Sequence, residues 1–96
     1  MNSRQRAYLR SLASNIDPFF QIGKNNLTPE VTEAVRECFN NNELVKISVL
    51  KNSLEDPKTM AHTIAERTGS EVVEVIGKKI VLYKPFKDDS KIILPR

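Results

Sequence analysis

Residues 19–35 read FFQIGKNNLTPEVTEAV, a run of strand, turn and helix signals in immediate succession. Phe19-Phe20-Gln21-Ile22 carries the aromatic and β-branched side chains that suit extended backbone, and Gly23-Lys24-Asn25-Asn26 supplies turn formers. Thr28-Pro29-Glu30 then opens a helix: a hydroxyl for the N-cap, a proline whose missing N–H costs nothing at the first helical position, and an acid in the electropositive first turn. Val31, Ala34, Val35, Cys38 and Phe39 recur at helical spacing as the buried stripe, and Asn40-Asn41-Asn42 ends it.

Upstream, Ser3 to about Asn15 places Leu9, Leu12, Ala13 and Ile16 on one helical face, with Ser3 available as a cap. Asp17-Pro18 stops this helix, because proline disfavours helical geometry in the residue before it. Downstream, Glu43 to Leu50 alternates: Val45, Ile47 and Val49 take one face, and Lys46 and Ser48 the other, where Lys46 is expected to reach solvent. Asp56-Pro57 repeats the cap-and-proline start for a third helix with Met60, Ala61, Ile64, Ala65 and Thr68 inward, stopped by Gly69. Glu71 to Ile76 and Lys79 to Lys84 are strands joined by a tight Gly77-Lys78 hairpin. The predicted order is α-β-α-β-α-β-β. That is a two-layer α/β sandwich around one four-stranded mixed sheet whose last two strands are antiparallel. The domain is expected to span 1–86, with 87–96 a tail that is polar and then apolar.

Ninety-six residues with 40% hydrophobic and 28% charged side chains suit a self-sufficient globular domain. A chain of this size buries roughly 60 to 68% of its unfolded surface without metal or disulfide staples. Cys38 is a lone cysteine, which excludes an internal bridge. No stretch reads as a signal peptide or membrane span, so a cytoplasmic home is expected and no membrane partner. The net charge of +3 is modest, yet its distribution is uneven. Residues 1–16 hold Arg4, Arg6 and Arg10 without an acid, and 77–87 hold Lys78, Lys79, Lys84 and Lys87 without one. Should the two segments meet, one face of the domain is positive.

The Gly23-Lys24 loop has the means to hold a phosphate. Glycine permits close approach, the first-turn N–H groups of the following helix lack internal partners, the helix dipole favours negative charge, and Lys24 adds a cation. Turns of Gly and Asn also occur for steric reasons alone, so the loop by itself leaves both readings open. Arg6 and Arg10 stand one turn apart, a like-charge pair that an anion between them would relieve.

Four separated blocks, QRAYLRSLA, FFQIGKNNLTPEVTEAV, NELVKISVL and GSEVVEVIGKKIVLYK, together resemble the YhbY-type proteins of the chloroplast RNA splicing and ribosome maturation (CRM) domain family over residues 3–84. The resemblance implies an RNA-binding domain, associated in bacteria with precursors of the large ribosomal subunit. It also implies a fold similar to the C-terminal domain of translation initiation factor three and analogous to KH modules. The family's G-x-x-G loop falls on Gly23, Lys24, Asn25 and Asn26, without the second glycine. Asn26 tolerates left-handed backbone but adds a side chain where a phosphodiester would approach. Lys78 and Lys79 at the hairpin tip, Arg6 and Arg10 on the first helix, and Lys46 complete the candidate RNA-binding set.

The remaining chemistry-bearing residues have plainer readings. His62 falls off the buried stripe of its helix, Cys38 on a buried one, and Asp56 serves as a cap. Tyr83, Phe19 and Phe20 could stack bases, with core packing expected for at least two of them. No catalytic triad, paired-carboxylate site or G-x-x-x-x-G-K-[ST] loop can be assembled, so neither an enzyme nor a metal, cofactor or small-molecule substrate is expected. The expected function is binding of ribosomal RNA in the large-subunit precursor through phosphates. The alternative is a protein-interaction adaptor on the ribosome or its assembly machinery, using an exposed sheet or the apolar tail.

Overall fold

The computed structural model describes residues 1–23, 27–51 and 55–96. Its elements are α1 (Ser3–Ala13), β1 (Gln21–Ile22), α2 (Pro29–Cys38), β2 (Leu44–Val49), α3 (Pro57–Thr68), β3 (Glu71–Ile76) and β4 (Lys79–Tyr83), in the predicted order. The cap of α1 is Asn2 rather than Ser3. Its side chain accepts from the Gln5 N–H at 2.8 Å while Gln5 Oε1 accepts from the Asn2 N–H at 3.1 Å, a reciprocal box that a serine one position later could not close. Thr28 and Asp56 cap α2 and α3 as read. Gly69 ends α3 at φ 70°, and the Lys84 ammonium donates to the Thr68 carbonyl at 3.0 Å, satisfying a further helix end group.

The sheet order is β1-β2-β4-β3, with β1 parallel to β2 and the other pairs antiparallel. A parallel neighbour requires a crossover, which α2 provides. The aromatic strand shrinks to Gln21–Ile22, although the Phe19 N–H still donates to Lys46 O and Phe20 O accepts from Ser48 N.

Helices α2 and α3 cover one face of the sheet, where Val35, Met60 and Ile64 pack on Val45, Ile47, Ile80 and Leu82. The expected helix-on-sheet sandwich is therefore present, and a third layer accompanies it. Helix α1 lies on the opposite face, packing Leu9 and Ala13 on Leu44, Val73, Val81 and Tyr83. Lys46 consequently does not simply reach solvent. It is half-buried under α1 and donates to the Ala13 carbonyl at 3.2 Å, at the electronegative end of that helix.

Strand β3 contains a bulge at Val73, between Val72 paired with Leu82 and Glu74 paired with Val81. The Arg6 guanidinium donates to both carbonyls beside it, Val72 O at 2.6 Å and Val73 O at 3.1 Å. The extra residue reverses the alternation. Val75 then joins the main core, while Glu74 and Ile76 turn toward α1's side of the sheet.

The tail folds back over this second face through Glu43. That carboxylate, 4% exposed, accepts from the Phe86, Lys91 and Ile92 N–H groups and the Ser90 hydroxyl at 2.6–2.8 Å. Ile92 and Leu94 pack against the α1-side core.

Candidate nucleic-acid interface

Backbone pairing brings distant segments to one end of the sheet. The Leu50 N–H donates to Ile22 O at 3.0 Å, and the Val49 N–H donates to Lys78 O at 2.7 Å. Gly23, Lys51 and the β3–β4 hairpin tip therefore share that end. Between them lies a hollow of about 560 Å³ bordered by Gln21, Ser48, Lys51, Lys78 and Lys79. All three lysines are exposed. The ion pairs among the described residues, Met1 N-terminus with Glu71 and Arg36 with Glu33, leave these lysines untouched.

Gly77 at φ 55° makes the two-residue hairpin possible and so sets the projection of Lys78. Gly23 differs, having no positive φ. Among the described residues, a β-carbon placed there would meet Leu50 Cδ1 at 3.9 Å, an ordinary contact. Among the described residues, then, neither backbone conformation nor packing demands glycine at 23. Lys24, Asn25 and Asn26 lie outside the described residues.

On the same face of the sheet, one row along, Lys79 also borders a second hollow of about 300 Å³ together with Arg10 and Lys46. Of the residues expected from sequence, Gly23, Lys78, Lys79, Arg10 and Lys46 thus occupy one continuous region. Arg6 stands apart, committed to the bulge carbonyls. Lys51 was missed by sequence reading, since its place beside the hairpin follows from sheet order. Its only local signal is a cation immediately beyond the end of a strand.

The other candidates follow their plainer readings. Tyr83 is buried and Phe20 packs against the main core, leaving Phe19 the exposed member of that trio. Burial, followed by the charge of Glu43, raises the Tyr83 phenol above its ordinary range. Burial, with the nearby Glu37 charge, likewise raises the Cys38 thiol, the opposite of what a nucleophile requires. His62 is exposed on α3.

A family model for the CRS1 / YhbY (CRM) domain matches residues 1–84. A Bacillus subtilis protein named "Probable RNA-binding protein YqeI" is 36% identical over 95 residues, covering 99% of each chain. A Haemophilus influenzae protein named "RNA-binding protein" is 31% identical over 96 residues, covering 100% of this chain and 96% of the relative. The solution structure of a Staphylococcus aureus protein, described as a candidate RNA binding protein, superimposes with a TM-score of 0.84. It is 44% identical and covers 99% of both chains.

Proposed function

Because the chain belongs to the CRS1 / YhbY (CRM) domain family, we propose that it is an RNA-binding protein whose target is ribosomal RNA of the large-subunit precursor, and that it acts in the cytoplasm as a binder rather than an enzyme. The observation that carries the phosphate-binding part is the meeting of Lys51, Lys78 and Lys79 at one sheet end without an acidic partner among the described residues. Cations held by a hydrogen-bonded hairpin and strand end, with no ion pair among the described residues to break, are available to displace counterions from a nucleic-acid backbone. The names of the Bacillus and Haemophilus relatives support RNA as the ligand. The ribosomal part of the proposal rests on the family resemblance.

Three to five phosphate contacts give a log-log salt slope of roughly −2 to −4. Titrating a structured fragment of large-subunit ribosomal RNA against the protein across a range of salt tests this. Reversing Lys51 and Lys78 together to Glu is expected to flatten the slope by about 2 and weaken all RNA sequences alike. Absence of binding at low salt, or binding without salt dependence, overturns the proposal.

The adaptor alternative has less surface to work with than the sequence suggested. Helix α1 covers part of the second sheet face, and Ile92 and Leu94 are occupied there, leaving Ile93 the exposed apolar residue of the tail at 82%.

A further inference from the structure

Strand register builds a small patch beneath α1. Val81 on β4 is flanked by Glu74 on β3 and Lys46 on β2, and in the next row Lys79 is flanked by Ile76 and Ser48. Glu74 and Lys46 are thus two inter-strand spacings apart, roughly 10 Å. Arg10 and Ala13 of α1 close one side, leaving the hollow of about 300 Å³. That is the lower end of the range for small-ligand sites, the scale of one planar group and not of a duplex.

Two features separate this hollow from a general basic depression. The bulge at Val73 is what turns Glu74 and Ile76 into it, and Arg6 holds that bulge. In addition, Glu74 is half-buried among cations yet has no hydrogen-bond or ion-pair partner among the described residues. A carboxylate there opposes phosphate binding. It can only accept hydrogen bonds, so its constructive use is to receive donors from a ligand.

Resting on the RNA-binding reading above, we propose that this hollow receives one unpaired guanine, with Glu74 accepting from its Watson–Crick edge. Guanine alone among the RNA bases presents two adjacent donors, N1–H and the N2 amino group, which match the two oxygens of a carboxylate. Adenine and cytosine place a ring-nitrogen acceptor beside their amino group, and uracil sets its single N–H between two carbonyls. Lys46 spends one N–H on the Ala13 carbonyl and keeps two donors for guanine O6. Ile76, 63% exposed at the rim, offers apolar contact to the ring face. Arg10 and Lys79 meet the flanking phosphates, as in single-strand recognition generally.

The test compares the oligonucleotides UUGUU, UUAUU and UUIUU, where inosine lacks the N2 amino group, by fluorescence anisotropy at low salt. The unmodified protein is expected to favour guanine over adenine by roughly 5- to 100-fold, with inosine between. Glu74→Ala should weaken binding to UUGUU while tightening binding to UUAUU, because it removes both the acceptor and a repulsive charge. Ile76→Ala, at an exposed position, gives an independent reading through a several-fold loss for UUGUU. Equal binding of all three oligonucleotides, tightened uniformly by Glu74→Ala, overturns the pocket and leaves phosphate binding standing. Failure to bind any RNA at low salt overturns the RNA reading itself, and the guanine pocket with it.

Discussion

The two ends of β2 treat charge in opposite ways. Glu43, just before the strand, is buried and receives donors from Phe86, Ser90, Lys91 and Ile92. Lys51, just after it, is exposed beside Lys78 and Lys79 with no ion pair among the described residues. At the first end the chain has saturated a charge in order to fasten its own tail. At the second it has gathered charges that nothing in the described fold neutralises. Charge serves architecture where its hydrogen-bonding capacity is filled, and it is available to a ligand where that capacity stays open. Substitutions can separate the two cases.

The largest stability effect is expected at the saturated end. Glu43→Ala removes the acceptor for three backbone N–H groups and a hydroxyl, so the tail loses its anchor and Ile92 and Leu94 their fixed seat. Hydrogen bonds to a buried charge are strong but not additive here, and the cost is expected at about 2–4 kcal/mol by chemical denaturation. The Lys51 and Lys78 reversals, at exposed positions, should stay within about 0.5 kcal/mol of the parent. A Glu43→Ala protein as stable as its parent would remove the distinction.

A related contrast appears with pH. Burial alone would raise the Glu43 carboxyl, but the hydrogen bonds from Ser90, Phe86, Ile92 and Lys91 outweigh it and hold the group below its ordinary value of 4.5. The unfolded chain therefore takes up this proton at a higher pH than the native one. The resulting stabilisation is fully present above the ordinary carboxylate value and is lost as pH falls through the lower native one. Thermal melts from pH 6 downward should show Tm falling on the acid side, with a shallower fall in Glu43→Gln, which has no carboxyl to protonate. Parallel curves for the two proteins would assign the acid loss to other groups.

Much of this arrangement was legible in the sequence because it is local. Thr28-Pro29 and Asp56-Pro57 announce helix starts within a few residues, and the alternation from Val45 to Val49 announces a strand. The Gly77-Lys78 turn places Lys78 at a hairpin tip on local grounds. What escaped depends on pairing across long sequence separations. Lys46 looks solvent-facing from its strand alone, and only the placement of α1 on that face gives it the Ala13 carbonyl. Glu43 looks like the polar start of a strand until residues 86–92 return to it. Glu74 is hidden by the Val73 bulge, because an unbroken alternation would have put it on the other face.

The smallest and sharpest contrast lies within α1, where Arg6 and Arg10 share a helical face and were read alike. Arg6 bonds two carbonyls at the bulge, whereas Arg10 borders the hollow with no ion pair among the described residues. Arg6→Ala removes the guanidinium donor from those partly buried carbonyls and is expected to destabilise the fold by about 1–2 kcal/mol. Arg10→Ala should change stability by less than about 0.5 kcal/mol while lowering RNA affinity several-fold, since it removes a cation and no internal bond. Denaturation and RNA titration of the two variants side by side separate the roles. Equal stability losses would mean that Arg10 is also structural, and an unchanged affinity in Arg10→Ala would confine the phosphate contacts to the sheet end around Lys51 and Lys78.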